Sequence, residues 1–175
     1  MSSSTGEKHL QAPEEMHTKN FVLKTGVRTF EASAYLKRRG ADTVEVKKLF
    51  ANSLDTYKER SQLVAGAEVY KNCAIACSNW EFPNVRIAAA QAADELLSIQ
   101  NVRASFVIFR AGNEIGISAR SLGDVNVQIL LEEFGGGGHL NMAGAQVKNS
   151  STGEVRKALL RVLDQKLAQA SKKEN

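Results

Sequence analysis

Four consecutive glycines, Gly135 to Gly138, stand between a helical apolar pattern (VNVQILLEEF) and a strand-like one (AGAQVKN), and His139 follows them directly. Each glycine costs backbone entropy and brings no side chain to a core, so the run marks a place where bare backbone is required. One use is a concavity in which glycines of mixed right- and left-handed conformation aim successive N–H groups at an anion such as a phosphate oxygen. If HLNMAG opens a turn of helix, its free N–H groups and positive dipole end add to the same site, with His139 at the rim. The other use is a flexible helix-to-strand linker. The run is not a Walker loop, because no Lys-Ser or Lys-Thr follows it. Nor is it a dinucleotide fingerprint, because Leu140 and Asn141 stand where the last glycine belongs.

The segments around the run set the fold class. Residues 1–15 are polar and aperiodic and read as a disordered leader. Asn20 to Lys24 is a short strand signal, a helix from Thr29 is closed by Gly40, and Asp42 or Thr43 opens a second. Ser53 caps a third helical pattern that continues through Tyr70. From Lys71 the pattern changes: NCAIACS reads as a buried strand and Val85 to Ile99 as an Ala-rich helix. ASFVIFRA and EIGISARS read as an antiparallel hairpin turning at Ala111-Gly112-Asn113. A helix opened by Asp124 or Val125 leads into the glycines, AGAQVKN is the last strand, and Thr152 caps a final helix ending near Ala170. Alternating strands and helices predict an α/β fold, a mixed-sheet α/β sandwich over residues 71–170, preceded by a helical connector within 16–70 and followed by a tail, 171–175.

Composition narrows the function only partly. A net charge of +4 favours anionic ligands, but with 6% aromatic residues there are too few rings to interleave a basic patch for nucleic acid. No apolar run reaches the roughly 20 residues that cross a bilayer, and no signal-peptide core follows the N-terminus, so a cytoplasmic location is expected. Cys73 and Cys77 share a strand face about 13 Å apart, too far for a disulfide, and read as buried free thiols rather than zinc ligands.

GGGGHLNMAGAQV resembles the glycine-rich signature of the DHH phosphoesterase superfamily, in its C-terminal DHH-associated domain. ISARSLGDVNVQ and MHTKNFVLKTGVRTFEASAYLKRRGAD extend the likeness to the cyclic-di-AMP phosphodiesterases of that superfamily, in their membrane-anchored bacterial form. The resemblance implies hydrolysis of cyclic di-AMP to pApA, with two manganese ions held between a DHH domain and this one. Residues 16–70 then correspond to the end of a DHH domain plus a connector, and 71–170 to the nucleotide-binding domain. The Asp-His-His triplet is absent. Where the family places a metal-binding Asp, just before Thr18, this sequence has His17, and carboxylate oxygen suits manganese better than imidazole. No metal site or catalytic residue is therefore expected here, and the chain alone is expected to be inactive.

The substrate-holding residues implied are Gly135, Gly136, Gly137, Gly138 and His139, joined by Arg120, Ser118 and Asn126. Arg120 with Ser118 puts a guanidinium and a hydroxyl at a strand end, where α/β sheets hold ligands and a guanidinium grips two phosphate oxygens. Asn126 opens the helix leading to the glycines, either as its cap or as a ligand contact. Expected partners are cyclic di-AMP or pApA, the DHH domain, a second copy in a homodimer, and single-stranded nucleic acid. Two alternatives stay open: a portion of a pApA or nanoRNA phosphodiesterase, and a stand-alone nucleotide- or nucleic-acid-binding module without catalysis, since the associated domain also accompanies alanyl-tRNA synthetases.

Overall fold

The computed structural model describes residues 26–49 and 51–171. The leader, the strand expected over Asn20 to Lys24, and His17 lie outside the described residues. The chain divides between Asn52 and Ser53 into two compact units. In the first, α1 (Val27–Arg38) begins two residues before Thr29 and ends in a paired C-terminal motif. Gly40, at φ +94°, donates to Lys37 O at 3.1 Å, and Ala41 donates to Leu36 O at 3.0 Å. Helix α2 (Thr43–Leu49) starts where the Asp42 carboxylate accepts from Val44 N at 2.9 Å.

The second unit opens with α3 (Leu54–Ala65), capped by Ser53, whose hydroxyl accepts from Thr56 N at 3.2 Å. The expected continuation through Tyr70 does not form. Gly66 donates back to Gln62 O and ends the helix, and Glu68–Tyr70 becomes strand β1. It turns into β2 (Cys73–Ser78) through Lys71 and Asn72, both at positive φ, the backbone that matches the twist of a two-residue hairpin. Asp164 then accepts from Tyr70 Oη at 2.7 Å and pairs with Lys71 Nζ at 2.5 Å, fixing the hairpin from outside. A short apolar stretch such as AGAEVY fits either period, and the sheet decides it.

After β2 come α4 (Val85–Leu96), β3 (Ala104–Ala111), β4 (Glu114–Ser121), α5 (Val127–Glu132), β5 (Gly137–His139), β6 (Met142–Lys148) and α6 (Thr152–Ser171). The six strands lie in the order β1-β2-β3-β4-β6-β5. Only β2 and β3 are parallel, joined by the α4 crossover, so the sheet is mixed as expected. The β3–β4 hairpin turns at Gly112 and Asn113, with Gly112 at φ +63°.

Helices cover both faces. Ala88, Ala89, Ala92 and Ala93 bring α4 close against Ala74, Ala76, Val107 and Phe109. On the other face Leu130, Leu131, Leu159 and Leu163 of α5 and α6 pack on Phe106, Ile108, Ile117, Ala143 and Ala145. The α4 face is bare over β6, where Met142, Gly144, Gln146 and Lys148 are exposed in alternation with buried Ala143 and Ala145. Cys73 joins the core, and burial pushes its thiol up to about 11. Cys77, expected to be buried too, is exposed: sharing a face does not fix burial along a strand's whole length.

The cap of α6 is Ser151 rather than Thr152. The Ser151 hydroxyl accepts from Glu154 N at 3.2 Å, and Glu154 Oε2 accepts from Ser151 N at 2.8 Å, a reciprocal capping box. Thr152 instead bonds through its hydroxyl to the Asn79 side chain. The Ser151 hydroxyl, first, and the Ser151 N–H hold the Glu154 carboxyl below its ordinary range. Its contribution is therefore present at neutral pH and is lost as pH falls through the lowered folded value. Ser151→Ala should destabilise the domain by about 1 kcal/mol in urea denaturation, and an unchanged midpoint would show that the box contributes nothing.

Candidate functional site

The four glycines do different jobs. Gly135 N donates to Glu132 O at 3.0 Å and Gly136 N to Leu131 O at 2.9 Å, which closes α5 with Gly135 at φ +69°. Two of the four N–H groups are therefore bound to helix carbonyls rather than turned toward a ligand. A Cβ on Gly136 would meet Gly144 O at 2.3 Å, and one on Gly138 would meet Met142 O at 2.3 Å and Ala143 Cα at 2.6 Å. Both are glycine because β6 passes too close for anything larger. Gly137 has no positive φ, and no atom stands within 4 Å of where its Cβ would be. It is the one member of the run that neither helix capping nor packing requires.

HLNMAG does not begin a helix. His139 ends β5 and the chain reverses at Leu140 and Asn141 into β6, so the site has no helix N-terminus there. The cause lies downstream: Ala143 and Ala145 must face the core in alternation while β6 pairs with β4 along its full length.

Strand register gathers the expected residues. Arg120, Met142 and His139 face one another across β4, β6 and β5, and Ser118, Gly144 and Gly137 form the next row on the same face. Gly116 and Gln146 form a third row and Glu114 and Lys148 a fourth. Ser118, Gly144 and Gly137 of the second row, with Gln146, Glu114 and Lys148, floor an open cleft of about 510 Å³, bordered by Arg86 at the start of α4 and by Gly135 and Gly136; Arg120, Met142 and His139 form the row beside it and do not line it. Gly144 is like Gly137: its Cβ would make only ordinary contact, with Ile117 O at 3.5 Å. Two adjacent cross-strand glycines beside Ser118 thus leave the floor bare without a packing reason.

Arg120 is 9% exposed and already engaged. Its Nε donates to Asp94 Oδ1 of α4 at 2.9 Å, and its Nη1 to Ala119 O at 2.9 Å and Ser118 Oγ at 3.3 Å. The guanidinium is fixed in orientation beside Ser118 rather than waving at a solvated edge. His139 is exposed on β5 opposite Met142, outside the cleft lining. Asn126 does not join this face. Its Oδ1 accepts from Gln128 N at 3.1 Å and Ile129 N at 3.3 Å, so it serves as the cap of α5, the helix packed on the opposite side of the sheet.

The far end of the cleft carries residues that sequence reasoning did not single out. Glu114 lies 3.9 Å from Arg86 and 3.7 Å from Lys148. Gln146, oriented as its neighbours dictate, accepts from Arg86 Nη1 at 2.8 Å and donates to Glu114 Oε2 at 3.2 Å. Counting in twos from Ser118 and Gly144 would have found Glu114, Gln146 and Lys148. Arg86 comes from a helix far away in sequence and left no such signal. Among the described residues no group of three or more His, Cys, Asp or Glu side chains is placed to hold a metal, so the donor set of a manganese site is not met there.

Over 149 residues the chain is 46% identical to the cyclic-di-AMP phosphodiesterase PdeA of Listeria monocytogenes serotype 1/2a (strain 10403S), covering 84% of this chain and 23% of that protein. Over 152 residues it is 45% identical to the cyclic-di-AMP phosphodiesterase GdpP of Bacillus subtilis (strain 168), covering 85% and 23%. The chain thus spans about a quarter of the length of these relatives. An exopolyphosphatase-related protein from Bacteroides fragilis shares the fold at a TM-score of 0.77 and 22% identity, over 86% of this chain and 47% of that one. The DHHA1 domain model matches residues 74–169, from within β2 to near the end of α6, and by that match the chain belongs to the DHHA1 domain family.

Proposed function

We propose that this chain is the substrate-holding portion of a manganese-dependent phosphodiesterase that hydrolyses cyclic di-AMP to pApA. In this reading residues 71–170 are the nucleotide-binding domain and residues 16–70 derive from the end of a DHH domain and its connector. A phosphate of the substrate rests on the floor made by Ser118, Gly144 and Gly137, with Arg120 and His139 in the adjoining row. The observation that carries the reading is the bare Gly137–Gly144 pair, which nothing in the packing requires and which a ligand approaching the backbone would require. The fixed guanidinium supports it, because a cation held in place by Asp94 loses little freedom on meeting an anion. The relatives in Listeria monocytogenes and Bacillus subtilis, both cyclic-di-AMP phosphodiesterases, supply the substrate class. Gly135, Gly136 and Gly138 shape the loop, and Asn126 sets its approach by capping α5. No metal-dependent step is assigned to these residues; bond cleavage belongs to the DHH domain, and this chain is inactive without it.

Isothermal titration of the 175-residue chain with pApA and with cyclic di-AMP should give saturable binding. No heat at millimolar ligand from a protein folded by circular dichroism would overturn the proposal. Gly137→Val should abolish that binding while changing stability by no more than about 0.5 kcal/mol, the usual range for an exposed site. Gly138→Ala should instead destabilise the fold by about 1–3 kcal/mol through overpacking against β6. Arg120→Ala should weaken binding by about 1.5–3 kcal/mol, with stability followed in parallel because the ion pair with Asp94 is lost.

A further inference from the structure

The cleft does not end at its last row. Ala111 stands opposite Glu114 across the β3–β4 hairpin, and there a second hollow of about 480 Å³ opens between the hairpin turn, the start of α4 and the loop that leads into α4. Arg86 borders both hollows. On the other side of that loop a third, of about 290 Å³, lies against the end of α3, and Phe82 lines both it and the second. Shared residues thus join the three into one groove, which starts at the Gly137–Gly144 floor and ends at Trp80.

Rings are few in this chain, at 6% of residues, yet two of them stand on this one loop with cations beside them. Trp80 is 62% exposed. An indole on a slack loop would lose much freedom on binding, but this loop is pinned at three points. Ser78 Oγ accepts from Trp80 N at 3.1 Å, the Asn79 side chain bonds the Thr152 hydroxyl at the start of α6, and Glu81 pairs with Arg110 at 3.1 Å. That pair uses only Nε of Arg110, whose Nη1 and Nη2 hold no hydrogen bond to a described residue. Three cations, Arg86, Arg110 and Lys148, face two carboxylates, Glu81 and Glu114, so the groove keeps an excess of positive charge. The ion pairs are exposed and worth little, so a phosphate can compete for the guanidinium groups.

Cations interleaved with ring faces suit a single strand of nucleotides, with phosphates on the charges and bases on the rings. Continuity with the phosphate floor favours such a strand over an acidic peptide. The second hollow begins four residues along β4 from Ser118, about 13 Å from the floor, which leaves the first two nucleotides to the cleft itself.

We infer that this groove carries a linear single-stranded oligonucleotide onward from the cleft, with the third and fourth nucleotides beyond Arg86, phosphates on Arg86 and Arg110, and a base stacked on Trp80. The inference rests on the phosphate floor proposed above, and its test tells the two apart. Trp80 is the single tryptophan of the chain, so tryptophan fluorescence reports on this position alone. The 175-residue chain is titrated with pApA, with pApApApA and with a heptaglutamate peptide, by fluorescence and by calorimetry. The same calorimetric titrations are made on Trp80→Ala and Arg110→Ala. The tetranucleotide should bind roughly tenfold or more tighter than pApA, the gain expected of one base–aromatic stack, and it alone should quench the indole. Trp80→Ala should cancel that gain and leave pApA affinity unchanged. Arg110→Ala should also spare pApA, and should lower the slope of log affinity against log salt for pApApApA by about 0.7, the share of one phosphate contact on a single strand. Binding of pApA with no gain for the longer strand, a gain that survives in both variants, or equal quenching by heptaglutamate would overturn the groove and leave the floor standing. Failure of both strands to bind the unaltered, folded protein would overturn both.

Discussion

Everything at the candidate site depends on how closely β5 lies against β6. Gly136 and Gly138 allow the backbone of the loop to sit where any side chain would strike Gly144 O, Met142 O or Ala143. That approach places Gly137 opposite Gly144 and His139 opposite Met142, and through β6 it brings both into register with Ser118 and Arg120. Two further constraints hold the arrangement from outside. Helix α5 is closed by Gly135 and Gly136, which sets where the loop begins, and its other end is capped by Asn126. Buried Ala143 and Ala145 then fix which face of β6 turns outward.

Much of this was legible in the chain. The mixed sheet, the Gly112–Asn113 hairpin and the Ala-rich crossover helix follow from period and turn chemistry, which act locally. The errors came where a local signal was shared by two structures. AGAEVY fits a helical stripe as well as a strand, and its pairing with β2 decided the outcome. HLNMAG after glycines reads like a helix start, and the demand of β6 for alternation decided against it. Thr152 looked like a cap because it stands one residue from Ser151, the residue that completes the box with Glu154. In each case tertiary pairing overrode a weak local preference.

The site divides along the same line. A run of four glycines announces bare backbone, but not which member serves the helix, which the packing and which a ligand. The missing neighbours around Gly137, together with its ordinary φ, make that distinction, since Gly135 is equally open but sits at φ +69° where it closes α5. Arg120 was legible as a strand-end cation, whereas its anchoring by Asp94, on a helix 26 residues earlier, was not. The Arg86–Gln146 contact likewise exists only once α4 has crossed over the sheet to bring its first turn beside β6.

The central claim, that a phosphate is held over the Gly137–Gly144 pair, is tested most directly by amide chemical shifts during titration of the isotope-labelled chain with pApA. Saturable shifts should centre on Gly137, Gly144 and Ser118, with Asn126 and the core of α5 on the opposite face little affected. Shifts that saturate elsewhere on the sheet while these three amides stay fixed would contradict it.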